Sequence, residues 1–180
     1  LRRWRAATDD PVRERWRRAY ASALPAEVAG RHSPRYPLLP LRENPSTGCW
    51  EFWDLRSGAA PLVLPGGGLQ IDESTATVYV LVPGRDASAS GAAIPPFFVS
   101  KYELTQAQWQ RFDLTRSFRW AGFAEGIEFG VTPRHPAEQK QPTAVDWTLR
   151  RLGARLPTER EWDYLAGGSG ILGFSTGDAS

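Results

Sequence analysis

The first thirty residues place apolar side chains at the spacing of one helix face, and this pattern predicts a helical segment over residues 1–30. The apolar positions are Trp16, Ala19, Tyr20 and Leu24. Asp10 followed by Pro11 is a favoured pairing at a helix start, and Pro25 is expected to end or kink the helix. The chain therefore opens with an amphipathic helix.

Residues 31–72 are rich in Pro and Gly and are predicted to form a linker with one short strand. Turn signals occupy residues 44–48 and 65–68, and the run from Pro37 to Leu41 suggests extended chain. Between the turn signals, Cys49–Trp53 has the aromatic pattern of a short strand.

Two further segments have the β-branched and aromatic composition of strands. They are Thr77–Val82, which is closed by Pro83 and Gly84, and Phe97–Tyr102. The intervening residues 85–93 are small and polar, which predicts a loop.

A repeated helix-start pattern follows. In each copy a Thr is followed three positions later by Gln or Glu, and then by Trp; the copies are Thr105, Gln108 and Trp109, and Thr158, Glu161 and Trp162. Each copy fits a capping box, so we predict short helices beginning at about 105 and about 158, each burying its Trp in one shared core.

A third helix is predicted over residues 142–152, with Val145, Leu149 and Leu152 on one face and Gly153 as terminator. Short strands and short helices do not alternate as βαβ units, so the predicted fold class is α+β. We take residues 73–180 as the N-terminal part of one domain, which the helical segment and the linker precede.

Composition and charge exclude few functions. The 180 residues carry a net charge of +2, which does not by itself indicate an acidic partner. Seven of the first twenty residues are Arg, and two interpretations exist: a nucleic-acid footprint or a solvated helix face. We favour the solvated face and predict no nucleic-acid partner.

No apolar run has the length of a membrane helix and no signal peptide is recognisable, so we expect a cytoplasmic protein without a membrane segment. The absence of Met and the turn-rich residues 173–180 lead us to expect that the sequence continues at both ends. The single cysteine, Cys49, excludes an internal disulfide.

The residues that could perform chemistry have more ordinary structural interpretations. His135 could be a base or ligand, but a loop hydrogen bond explains it better. Glu159, Glu161 and Asp163 could form an acid–base pair, but helix capping and dipole stabilisation account for them. Cys49 is expected to be a buried small hydrophobe, and Gly66–Gly68 lacks the Lys-Ser/Thr of a phosphate loop. We therefore assign no catalytic, cofactor-binding or metal-binding residue.

Four segments together resemble the formylglycine-generating enzyme (sulfatase-modifying factor) family. The most specific is Arg155–Tyr164, which is similar to the family's Arg-Leu-Pro-Thr-Glu-x-Glu-Trp-Glu-Tyr stretch. Phe97–Gln106 resembles its strand-then-helix signature, His135-Pro136 its usual His-Pro, and Val78–Gly84 its entry strand. The resemblance covers about residues 73–180.

This resemblance implies a C-type-lectin-like α+β fold and an oxygen-dependent oxidation of a sulfatase Cys to formylglycine. It also implies a copper-binding cysteine pair and structural calcium for the complete family domain, and a protein or peptide substrate. The family places its cysteine pair and calcium ligands toward its C-terminus, so we expect this chain to be the N-terminal portion of the domain. It would then lack the catalytic cysteines and the C-terminal half that packs against it.

A second function is compatible with the same resemblance. Related family members include non-catalytic binding modules. The segment from Pro40 to Phe52 is similar to one that precedes such domains in large bacterial proteins, several of which carry a Ser/Thr protein kinase domain. A binding or regulatory module attached to a bacterial kinase is therefore the alternative.

Overall fold

A computed structural model describes most of the chain, in seven stretches. These are residues 10–24, 37–87, 92–113, 123–124, 127–128, 132–138 and 140–166. The chain groups into two compact units: the first comprises residues 1–53, 79–99 and 157–180, and the second comprises residues 54–78 and 100–156. Each unit is therefore assembled from segments that are distant in sequence.

The described residues contain short helices and short strands, which confirms the predicted α+β class. The helices are α1 (Asp10–Ala23), α2 (Gln106–Phe112), α3 (Pro142–Leu152) and α4 (Glu159–Ala166). The strands are β1 (Leu38–Glu43), β2 (Trp50–Asp54), β3 (Leu62–Val63), β4 (Leu69–Gln70), β5 (Val78–Val82), β6 (Phe97–Ser100), β7 (Phe123–Ala124) and β8 (Ile127–Glu128). Strands β1, β2, β5 and β6 form a sheet in the order β1-β2-β5-β6, whereas β3–β4 and β7–β8 are separate antiparallel pairs.

The core of the first unit is aromatic and is centred on Trp16 of α1, which is 1% exposed. The Trp16 ring centroid lies 4.6 Å from that of Phe52 in β2 and 5.1 Å from that of Tyr20. Phe98 in β6 meets Phe52 edge-on at 5.1 Å. Ring pairs at these separations add stability beyond the area they bury, by about 0.5–1.5 kcal/mol each.

Helix α1 confirms the predicted apolar face, because Trp16, Ala19 and Tyr20 are buried. The rest of the predicted segment, residues 1–9 and 25–30, lies outside the described residues. The described arginines of α1 are exposed. Arg17 pairs with Glu14, and the Arg18 guanidinium lies 5.8 Å from the Trp50 ring centroid. These contacts agree with a solvated helix face.

The turn between β1 and β2 was predicted and forms around Asn44. The Gly48 N–H donates to the Asn44 carbonyl at 2.8 Å, and Gly48 adopts a φ of 67°. Glu51, which follows in β2, is fully buried, and its carboxylate accepts from Arg42 Nε at 2.8 Å and Asn44 Nδ2 at 2.7 Å. The Arg42 and Asn44 side chains thus compensate the negative charge of Glu51, which would otherwise be costly to bury.

The second unit is held by arginines that donate to backbone carbonyl groups. Arg56 bonds the Asp54 carboxylate, and its Nη2 also donates to the Leu152 carbonyl at 2.5 Å, at the end of α3. Arg111 of α2 donates to the carbonyls of Ser57, Glu73 and Thr75. The side chains of Arg56 and Arg111 thus join segments far apart in the chain.

Both predicted capping boxes are present, and Gly153 ends α3 in the left-handed conformation as predicted. Trp109 is buried at 3% exposure, but the prediction for Trp162 is wrong, because this side chain is 62% exposed. On α4 the buried side chains are Glu161 and Leu165, and Trp162 is rotated about 100° from Glu161, onto another side of the helix.

Helix α3 also differs from its predicted face. Leu152 is buried, but Val145 and Leu149 are half-buried and Thr148 is buried instead. The prediction that α2 and α4 anchor one shared core is not confirmed, since α2 belongs to the second unit and α4 to the first. Within the described ranges, no helix combines the length and apolar character needed to span a membrane.

Candidate functional site

The first unit contains a shallow cleft of about 160 Å³ that is bordered by charged side chains. It is lined by Arg85, Arg160, Asp163 and Tyr164. Three of these residues lie on α4, and Arg85 follows the Pro83–Gly84 turn at the end of β5. The cleft therefore joins two segments of the first unit that lie 75 residues or more apart in sequence.

The turn that positions Arg85 requires a glycine. Gly84 has a φ of +76°, and a Cβ at this position would lie 2.2 Å from the Ile94 carbonyl oxygen. Directly after the turn, Arg85 and Ile94 exchange two backbone hydrogen bonds of 2.9 Å each. Ile94 is buried, so the backbone of Arg85 is fixed even though its side chain is exposed.

Tyr164 connects α4 to this turn. Its hydroxyl donates to the Gly84 carbonyl oxygen at 2.8 Å, and the Arg85 guanidinium carbon lies over its ring, 5.6 Å from the centroid. A cation at this distance from an aromatic face is attracted by about 0.5–1 kcal/mol at an exposed site. The Tyr164 side chain thus links α4 to the Pro83–Gly84 turn and also positions the Arg85 guanidinium.

The capping box sets the start of α4 and hence the positions of its cleft residues. The Thr158 N–H donates to Glu161 Oε2 at 2.7 Å, and the Glu161 N–H donates to Thr158 Oγ1 at 3.3 Å. Arg160 and Tyr164 are four positions apart and therefore share one helix face. Asp163, three positions after Arg160, borders the same cleft.

The cleft carries two guanidinium groups, whose chemistry suits the binding of an anion. A guanidinium stays charged at physiological pH, so neither arginine can act as a general base. Among the described residues, neither Arg85 nor Arg160 forms an ion pair within 4 Å, so both keep donors for a ligand.

Cys49 does not line this cleft; it lies in the first unit directly before β2 and is buried. Burial raises the pKa of its thiol above the ordinary value of 9.0, the Thr47 side chain opposes this, and the Glu51 charge adds to it. A thiol with a raised pKa is a poor nucleophile and metal ligand at neutral pH. The structure agrees with the interpretation of Cys49 as a buried small residue.

His135 takes part in a loop of the second unit. Its Nδ1 accepts from the Thr132 N–H at 2.8 Å, and its carbonyl accepts from the Gln106 N–H at 2.8 Å. These bonds agree with a structural role. They place the His-Pro pair against the start of α2, where Thr105 pairs with Pro136.

The three acidic residues of α4 separate in the structure. Glu161 caps the helix, Glu159 is exposed in its first turn, and only Asp163 borders the cleft. Capping and dipole stabilisation therefore account for the first two. Gly66–Gly68 lies in the turn between β3 and β4 and does not lead into a helix, so a phosphate loop is not formed there.

The residues present do not fit the copper and calcium sites that the family resemblance implies. Two thiolates for copper cannot come from one Cys. Within the described stretches, no group of three or more His, Cys, Asp or Glu side chains could hold a metal ion.

The sequence did not indicate that Arg85, Arg160 and Tyr164 lie next to one another in the fold. The Pro83–Gly84 turn and the α4 capping box were both visible, but nothing in either local pattern shows that they meet. The hydrogen bond between Tyr164 and Gly84 joins residues 80 positions apart, so it can be seen only in the folded structure.

Comparison with known proteins identifies a family. The family model for the sulfatase-modifying factor enzyme 1-like domain matches residues 54–179. No curated protein matches the chain, and no solved structure matches it. Because the family model covers most of the chain, the protein belongs to the formylglycine-generating, sulfatase-modifying factor family.

Proposed function

We propose that this chain is the N-terminal portion of a formylglycine-generating-type domain and that the complete protein oxidises a sulfatase Cys to formylglycine. In this proposal the reactive cysteine pair and the metal ligands come from residues other than these 180. The chain contributes the scaffold and part of the surface that meets a protein or peptide substrate.

The family match supports the oxidase part of this proposal, and the state of Cys49 supports the part that places the reactive thiols outside these residues. Cys49 is the one cysteine of the chain, it is 7% exposed, and burial raises the pKa of its thiol. Oxidation through a thiol requires a thiolate that a substrate can reach. Cys49 meets neither condition, so it is assigned to packing.

The more detailed expectations from the sequence remain predictions within this proposal. They are a C-type-lectin-like arrangement of the α+β fold, a domain that begins near residue 73, copper and calcium in the complete domain, and a cytoplasmic location. The family match begins upstream of residue 73, at residue 54, so β2 contributes its last residue to the matched region.

A non-catalytic binding module is the second candidate, attached in this case to a bacterial Ser/Thr kinase. The cleft at Arg85 favours it, because two arginines without ion-pair partners in the described residues border a concave surface. The downstream coding sequence distinguishes the two candidates: a pair of closely spaced cysteines supports the oxidase, and their absence supports the module.

The direct test uses the 180-residue chain with a sulfatase-derived Cys peptide, Cu(I), oxygen and a thiol reductant that supplies the other two electrons needed to reduce O2 to water. Mass spectrometry detects conversion of the peptide thiol to an aldehyde with release of sulfide. We expect no conversion by the wild type or by Cys49→Ser. Conversion by the wild type that Cys49→Ser abolishes would contradict the assignment of Cys49 to packing. Restoring the downstream residues should then give activity if the oxidase proposal is correct.

A further inference from the structure

The geometry points to an additional binding site: the cleft formed by Arg85, Arg160, Asp163 and Tyr164 takes the carboxylate of a Glu or Asp side chain from a peptide or protein partner. This inference does not depend on the proposed oxidase function. It concerns the residue after the Pro83–Gly84 turn and three residues of α4, and Cys49 is not among them.

The first argument is preorganisation. Arg85 is attached to a backbone held by two hydrogen bonds to Ile94 and by a turn that only glycine fits. Its guanidinium lies over the Tyr164 ring, and Tyr164 is held by its own hydrogen bond to Gly84. A positioned guanidinium loses less freedom when it binds a ligand than a free surface arginine does.

The second argument concerns the donors that remain. A guanidinium carries five N–H donors in its plane, and contact with a ring uses its face. The described residues supply no hydrogen bond and no carboxylate to the side chain of Arg85 or Arg160. Both side chains can therefore donate to a ligand, and the fork of N–H groups matches the two oxygens of a carboxylate.

The third argument is charge. Two arginines and Asp163 leave one net positive charge around the cleft. A carboxylate with a single negative charge neutralises that charge, whereas a phosphate with two negative charges would leave one negative charge unbalanced and costs more to remove from water. Carboxylate is therefore the favoured anion.

The fourth argument is size. A cleft of about 160 Å³ is smaller than the pockets of about 300–1,000 Å³ that hold cofactors and drug-sized ligands. It accommodates the end of one side chain. A single exposed ion pair contributes about 0–1 kcal/mol, so a lone anion binds weakly and the site is suited to one residue of a longer partner.

The test is a titration of the ¹⁵N-labelled 180-residue chain with N-acetylglutamate amide, which presents only a side-chain carboxylate, followed by NMR at the arginine Nε–H signals. N-acetylglutamine amide is the neutral control ligand. We expect the Arg85 and Arg160 signals to shift with the glutamate compound and not with the glutamine compound. Arg150, which is exposed and bonded to Asp146 at 2.8 Å, should not shift.

Variants distinguish a built site from general ionic attraction. Arg85→Gln and Arg160→Gln should each weaken binding by up to about fivefold, whereas Arg150→Gln removes the same charge and should leave it unchanged. Arg85→Lys keeps the charge but loses the planar fork, so it should also weaken binding. Circular dichroism melts of each variant confirm that the fold is kept.

Three results would overturn the inference. One is the absence of any shift at Arg85 and Arg160. Another is a shift of equal size at Arg150, which would indicate unspecific charge effects. The last is tighter binding of inorganic phosphate than of N-acetylglutamate amide, which would assign the cleft to a phosphate group.

Discussion

Replacing Gly84 by Ala tests how strongly the turn before Arg85 is constrained, and Gly48→Ala is its matched control. Both glycines have positive φ, 76° and 67°, and both lie in turns of the first unit. An added Cβ at Gly48 meets no atom within 4 Å, whereas at Gly84 it would lie 2.2 Å from the Ile94 oxygen. The two variants therefore share the conformational cost and differ in the steric one.

The expected magnitudes follow from these distances. A left-handed conformation costs a residue with a Cβ about 1–2 kcal/mol, and the reduced freedom of the unfolded chain offsets about 0.4–1 kcal/mol. Gly48→Ala should thus lower the free energy of unfolding by about 1 kcal/mol. Gly84→Ala must also displace the backbone of Ile94, breaking one or both of its bonds to Arg85, which adds about 1–3 kcal/mol.

The measurement is equilibrium urea unfolding of the wild type and both variants, monitored by tryptophan fluorescence and analysed with a common slope against denaturant. We expect Gly84→Ala to be the less stable variant by about 2 kcal/mol, which is a sizeable part of the 5–15 kcal/mol typical of a domain. Equal destabilisation by the two substitutions would refute the reasoning, because it would show that no close approach exists at Gly84.

Two other predictions concern separate parts of the chain. Arg111→Met should destabilise the second unit by about 3 kcal/mol, because the carbonyls of Ser57, Glu73 and Thr75 lose a charged donor. Urea unfolding measures this loss of stability, and a loss below about 0.5 kcal/mol would contradict a stabilising role for the Arg111 hydrogen bonds. The raised pKa of Cys49 should lower stability as the pH rises above 9.0, because the unfolded thiol ionises there while the folded thiol stays protonated. Unfolding free energies at about pH 8 and about pH 10 should therefore fall more steeply for the wild type than for Cys49→Ala, and identical slopes would contradict the prediction.

The sequence predicted local backbone structure correctly wherever a few adjacent residues determine the conformation. The capping boxes at Thr105 and Thr158, the turn at Asn44 and the stop at Gly153 all formed as predicted. Each depends on hydrogen bonds or backbone angles within about five residues, so the pattern alone specifies the conformation.

The sequence did not predict side-chain burial correctly where burial depends on contacts with residues distant in the chain. Trp109 and Trp162 each follow a Thr capping box, yet one is buried and the other exposed. The cap determines where a helix starts and not which side the helix presents to the core. Thr148 is buried where an apolar pattern favoured Val145 and Leu149. The Arg111 contacts and the Tyr164 bond to Gly84 cross more than thirty residues and leave no local pattern.

The division of the chain into two interleaved units has a consequence for synthesis. The second unit includes residues 54–78 and 100–156, and the first unit needs both residues before 54 and residues after 156. A ribosome must therefore release residue 156 before the second unit can close, and α4 must emerge before the first is finished. Neither unit can be excised by a single cut, so limited proteolysis should yield nicked protein whose fragments remain associated rather than two separable pieces.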